Sequence, residues 1–174
     1  MRGINSPGVR RGSRVRGGVL IGLLIAAPGC ARAEDKMAAS GFETRLSLTD
    51  AAGKEAHAFS ARDPVTLIVT IRNRSDAPRT LTLPTSQTHD CIVYAGNDKE
   101  VWRWSAGRMF AQVITEQTFT PGESRTIAVR WDLTDPKGAP LPPGDYRAVG
   151  LIPGRSPGAR SEPVVFTIRP PGAG

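Results

Sequence analysis

The chain has 174 residues, enough for one domain with its own hydrophobic core, and its two cysteines are too few for a disulfide framework. The formal charge of +7 does not describe a nucleic-acid-binding surface, because six of the 23 Lys and Arg residues lie in residues 1–33 with no acid among them. The other 17 face all 16 Asp and Glu residues, show no basic stripe with interleaved aromatics, and so predict no nucleic-acid partner.

Residues 1–33 read as a signal peptide. Arg2, Arg10, Arg11, Arg14 and Arg16 precede an apolar run, Gly17 to Ala27, and small residues follow. That order is a charged region, a short hydrophobic region and a cleavage site. The run is about 11 residues, against the roughly 20 that a spanning helix needs, so no spanning helix is expected. Two processing routes fit. Ala31-Arg32-Ala33 satisfies the small-x-small rule with cleavage before Glu34, whereas Ala27-Pro28-Gly29-Cys30 resembles a lipobox that would leave Cys30 as a lipid anchor. Either route predicts an exported protein, periplasmic or lipid-anchored to the cell envelope. Residues 34–41 are small and polar and read as a linker.

From Phe42 the apolar pattern has period two. Thr44, Leu46 and Leu48 alternate with Glu43, Arg45 and Ser47, and Val65, Leu67, Val69 and Ile71 with Thr66, Thr70 and Arg72. Leu81 and Leu83 follow. Cys91–Ala95 and Val101–Trp104 flank the turn-forming Gly96-Asn97-Asp98-Lys99, which predicts a hairpin. Next come Ile127, Val129 and Trp131, then Tyr146–Ile152, then Val164, Phe166 and Ile168. Alternation places successive side chains on opposite faces of a strand, and β-branched residues suit it. Helical spacing is absent, and Pro and Gly punctuate the chain at turn intervals. About eight short strands predict an all-β, immunoglobulin-like antiparallel sandwich over residues 42–169, with 170–174 as a frayed tail. Gly144-Asp145-Tyr146 reads either as the tyrosine corner of such sandwiches or as a plain turn before a core tyrosine.

Catalytic signatures are missing. His57, His89 and the cysteines lack the spacing of a zinc site, and no nucleophile elbow, phosphate loop or dinucleotide fingerprint is present. A Cys91 thiol beside His89 falls in an alternation slot, which packing explains. The sequence predicts no enzyme, metal or cofactor. What stands out is Val101-Trp102-Arg103-Trp104-Ser105 followed by Gly107-Arg108-Met109-Phe110 and Gln112. The tryptophans share one face of a strand and Arg103 takes the other. They are either interface anchors, as Trp and Arg often are, or core fillers with Arg103 outside or paired to an acid.

Ser86 to Val93 with Asp90, then Glu100-Val101-Trp102-Arg103-Trp104-Ser105, Phe110 and Gln112, resemble the BsuPI domain, the Bacillus-type intracellular proteinase inhibitor family. So do Thr120-Pro121-Gly122-Glu123 ahead of a strand ending at Trp131, and the element Leu-Pro-Pro-Gly-Asp with Tyr146. The similarity spans roughly residues 42–152. It implies an immunoglobulin-like sandwich whose matching residues are fold-defining, and inhibition of serine proteases of the subtilisin kind, so that the partner is a protein. The loops expected to meet a protease are Ala106–Met109, with Arg108 and Met109 as contacts, the proline-rich Thr134–Pro143, and Gly154–Glu162. A basic contact, Arg108 or Arg155, would suit a trypsin-like pocket. The competing expectation is a non-inhibitory envelope module that docks on another protein.

Overall fold

The computed structural model describes residues 41–172 apart from 62, 97 and 155–158. The signal peptide with Cys30, most of the linker, Arg155 and the end of the tail lie outside the described residues. Eleven strands and no helix make up the described chain: β1 Phe42–Thr49, β2 Ala58–Ser60, β3 Val65–Asn73, β4 Arg79–Leu83, β5 Asp90–Ala95, β6 Glu100–Arg103, β7 Thr115–Phe119, β8 Ser124–Trp131, β9 Gly144–Ile152, β10 Ala159–Arg160 and β11 Val164–Arg169. Among the described residues no helix is long and apolar enough to cross a membrane.

One sheet has the order β1-β3-β8 and a second the order β2-β11-β9-β5-β6, with β10 on the end of β9; β4 and β7 form a separate pair. The period-two reading places the core correctly. Val65, Leu67, Val69 and Ile71 point inward from β3, as do Leu46 and Leu48 from β1 and Phe166 and Ile168 from β11. β1 and β3 face β9 across the sandwich. At Gly150 a Cβ would stand 3.1 Å from one Val69 methyl and 3.3 Å from the other, so the sheets approach there as closely as a glycine allows.

Three strands beyond the expected eight are β2, β7 and β10. β2 and β10 are three and two residues long, too short to show a period. β7, Thr-Glu-Gln-Thr-Phe, has polar side chains on both faces until Phe119. A further difference from an all-antiparallel sandwich is that β11 runs parallel to β2, Ile168 beside Phe59.

The buried Asn73 joins the β4–β7 pair to the rest. Its Nδ2 donates to the carbonyls of Ala77, Phe119 and Thr120 at 2.9, 3.1 and 3.1 Å, while its Oδ1 accepts from the Ser75 N–H and hydroxyl at 3.0 and 2.7 Å. The turn after β7 is of type II. Pro121 fixes its first central position, Gly122 takes φ 76°, and the Glu123 N–H donates to the Thr120 carbonyl at 3.0 Å. Of the two readings of Tyr146, the structure has the corner: its hydroxyl donates to the Pro142 carbonyl at 2.7 Å while its ring packs 5.7 Å from that of Phe166.

Candidate functional site

β5 and β6 pair with Ile92 opposite Arg103 and Val93 opposite Trp102. Alternation along these strands therefore puts Asp90, Ile92 and Arg103 on one face and Cys91, Val93 and Trp102 on the other.

On the first face Asp90 is almost fully enclosed. Its Oδ1 accepts from the backbone N–H of Cys91 at 2.9 Å and of Ser105 at 3.1 Å, and its Oδ2 from Arg103 Nη1 at 3.0 Å and the Ser105 hydroxyl at 2.7 Å. Four donors on one carboxylate neutralise the cost of burying it. Arg103 turns its other edge to Glu100, with Nε and Nη2 donating to the two carboxylate oxygens at 2.9 and 2.7 Å. Hydrogen bonds to Glu100, joined by those to Asp90, push the Arg103 pKa above its ordinary value. Of the two places that sequence reading left for Arg103 beside core tryptophans, outside or paired to an acid, the structure has the pairing, with two acids, one buried and one exposed.

On the second face the two tryptophans part company. Trp102 lies half-buried over the core, 5.0 Å from the ring of Trp131, whose own ring meets Phe166 edge-on at 6.2 Å. The Trp131 indole N–H donates to the Thr134 carbonyl at 2.9 Å. Trp104 lies one residue beyond β6, its N–H donating to the Cys91 carbonyl at 2.9 Å. Its ring stands 3.9 Å from that of His89 and 5.9 Å from that of Phe110, and the Arg108 guanidinium lies 4.4 Å above it. His89 Nδ1 pairs with the Thr88 hydroxyl at 3.0 Å, but its buried Nε2 has no hydrogen-bond partner. Burial lowers the His89 pKa, Arg108 adds to that, and Asp90 opposes it. Cys91 is fully buried, and burial pushes its thiol up to about 12, so it is neither a thiolate nor a nucleophile at neutral pH.

From this frame a loop leaves the sandwich. The Ala106 N–H donates to the Arg103 carbonyl at 3.2 Å and the Arg108 N–H to the Ser105 carbonyl at 3.1 Å, with Gly107 at φ 73°. Arg108 is tied back, its Nε donating to the Trp104 carbonyl at 2.8 Å beneath the stacked guanidinium. Met109 then projects with 99% of its surface exposed. The chain is caught again at Ala111: its N–H donates to the Ser86 hydroxyl at 2.9 Å and its carbonyl accepts from the Ser86 N–H at 2.9 Å. Gln112, Val113 and Ile114 continue exposed to β7. The backbone N–H groups of Met109, Phe110, Gln112 and Val113 make no hydrogen bond to another described residue.

The proline-rich loop Thr134–Pro143 is closed on itself. Between Thr134 and Pro143 the Asp135 N–H donates to the Ala139 carbonyl at 2.8 Å, and Asp135 Oδ1 accepts from the N–H groups of Lys137 and Ala139. The third loop, 154–162, falls mainly outside the described residues. His57 sits by β11, 3.2 Å from the Val165 carbonyl, while His89 packs on Trp104, and no group of three His, Cys, Asp or Glu among the described residues is placed to hold a metal. Sequence reading named Ser105 and Ser86 only within the segments that resemble the family and gave neither a role. Both are small polar residues in turns, and their roles depend on strands that come together only in the fold.

Comparison with known proteins bears on the same segment. The family described as BsuPI, intracellular proteinase inhibitor, matches residues 51–157, which contain both the frame and the loop; the chain belongs to that family. No curated protein matches the chain. Among solved structures, the C-terminal domain of wzt is 10% identical over 75% of this chain and 74% of its own, with a TM-score of 0.48. The alkylpurine DNA glycosylase AlkC of Pseudomonas fluorescens is 14% identical over 75% of this chain and 31% of its own, at 0.45. A β-glucosidase from Listeria innocua is 14% identical over 75% of this chain and 16% of its own, at 0.38.

Proposed function

We propose that this member of a proteinase inhibitor family is an exported inhibitor of serine proteases of the subtilisin type, and that it meets the protease through the loop Ala106–Ile114. One observation carries the reading. The loop is exposed, leaves backbone N–H groups unpaired among the described residues, and is fastened on both sides of Met109, at Arg108 and at Ala111. An extended segment with free main-chain groups can add to the sheet edge of a partner, and fixing it beforehand lowers the entropy lost on binding. The Thr134–Pro143 loop is stiff too, but it spends its main-chain groups internally. The arginine-rich opening and apolar Gly17–Ala27 support export.

The test is titration of the purified chain against subtilisin, with residual activity read on a small substrate. Stoichiometric inhibition by a chain that stays intact is the expected result. A folded, β-rich chain that inhibits no serine protease would refute the proposal and leave the non-inhibitory envelope-binding module as the reading to pursue.

A further inference from the structure

We infer that Met109 is the side chain that fills the primary specificity pocket of the protease, and that the target class is therefore serine proteases with a deep apolar pocket rather than an acidic one. This rests on the inhibitor reading above and deepens it.

Two long side chains follow one another after the Gly107 turn, and the fold treats them oppositely. Arg108 is the residue that an acidic pocket would take. Its guanidinium lies over the Trp104 ring at 4.4 Å, and its Nε is hydrogen-bonded to the Trp104 carbonyl at 2.8 Å. To enter a pocket it must give up both contacts, and with them the first anchor of the loop. Met109 gives up nothing. It is 99% exposed, although large apolar side chains are normally kept from water. Arg108 before it is held, Phe110 after it packs on Trp104, and Ala111 is hydrogen-bonded to Ser86, so the side chain is presented at a fixed point rather than swept about. An unbranched thioether fills pockets of differing shape.

The neighbouring surface agrees with an apolar partner. Val113 and Ile114 are 50% and 56% exposed on the same stretch, and no acid lies between Ala106 and Ile114 to favour a cationic partner. Isolated exposed apolar residues need no explanation, but here three in six consecutive residues are exposed, and a partner can cover them together. The fit is one of complementary roles. Met109 enters the pocket, the free N–H groups of Phe110 and Gln112 face the partner backbone, and Val113 and Ile114 cover the rim.

The experiment uses the whole chain with Met109→Lys, Met109→Asp and Arg108→Ala, each titrated against subtilisin, against chymotrypsin, whose pocket is a hydrophobic slot, and against trypsin, whose pocket ends in an aspartate. The wild type should inhibit at least one of the first two far better than trypsin. Met109→Asp should weaken that inhibition by about 100-fold or more, the loss expected for a central anchor residue. Met109→Lys should weaken it similarly and gain on trypsin. Because Met109 touches no core residue, the variants should unfold at the wild-type midpoint, so a changed inhibition constant reads contact and not folding. The inference is overturned if the wild type inhibits and both Met109 variants inhibit equally well. It is also overturned if trypsin is the best target and Arg108→Ala abolishes its inhibition. A wild type that inhibits none of the three refutes the inhibitor reading itself, a different result from either.

Discussion

Asp90→Ala should be among the most destabilising single changes in the domain, and the geometry gives its size. The substitution removes the acceptor of four hydrogen bonds and leaves the Ser105 hydroxyl, two backbone N–H groups and one edge of Arg103 without their partner. Breaking a buried ion pair from one side costs about 3–5 kcal/mol. Arg103 softens this, because its side chain is 34% exposed and keeps both hydrogen bonds to Glu100, which puts the expectation near the lower end at ~3 kcal/mol. Glu100→Ala supplies the contrast. It breaks two hydrogen bonds to the same arginine where Asp90 accepts only one from it, but Glu100 is 41% exposed, so the loss should stay below about 1 kcal/mol. Asp90→Asn should fall between them, since its remaining oxygen still accepts from Cys91 and Ser105 while its amide group confronts Arg103 donor to donor. Urea unfolding followed by tryptophan fluorescence measures all three, with unchanged m-values certifying comparable transitions. If Asp90→Ala costs no more than Glu100→Ala, burial of the carboxylate is not what holds the frame, and the argument for a rigid base beneath the loop fails.

Three further outcomes are expected. Tyr146→Phe removes the hydroxyl that reaches the Pro142 carbonyl but keeps the ring against Phe166, so it should cost about 1 kcal/mol in urea unfolding. His89 has a folded-state pKa below its unfolded value of 6.5, so it contributes stability that is present above that value and is lost as pH falls through the lowered one; His89→Phe should flatten this part of the stability–pH curve below about pH 6.5. The Cys91 thiol, fully buried and pushed up to about 12, should resist a thiol-specific reagent in the native protein at pH 8 and react at once in urea.

What could be read from the sequence divides by the range of the interaction. β3 announces itself, because every second residue from Val65 to Ile71 is buried and the period is visible within nine residues. β7 hides, because its Thr, Glu, Gln and Thr side chains carry no apolar alternation and the strand is held by pairing with β4. The turn at Pro121-Gly122 is legible in two residues, since Pro presets one dihedral and Gly tolerates the other. For Arg103 an acid partner was one of the alternatives the sequence left open, and whether it finds one, and which, depends on the register that sets Ile92 opposite it. At the loop, Gly107 marks a turn in the sequence, whereas nothing local says that Arg108 folds back and Met109 does not. That outcome is decided by Trp104, whose ring is held in place by His89 and Phe110 from two other segments.

The same division explains why one short stretch joins opposite properties. Arg103, Trp104 and Ser105 are each committed to partners by distances of 3.0 Å or less, and Arg108 and Ala111 are tied to them or to Ser86. Every polar or cationic group near the loop that forms a strong directed contact has done so inside the protein. What remains outward is the apolar side chains of Met109, Val113 and Ile114 and a row of main-chain donors. Such a surface gains little from charge attraction at long range, so association should depend weakly on salt. Its affinity must come from desolvating Met109 and from losing little flexibility on binding. Loosening the Ser86 anchor by Ser86→Ala should therefore weaken inhibition through faster dissociation while leaving the specificity that Met109 sets unchanged.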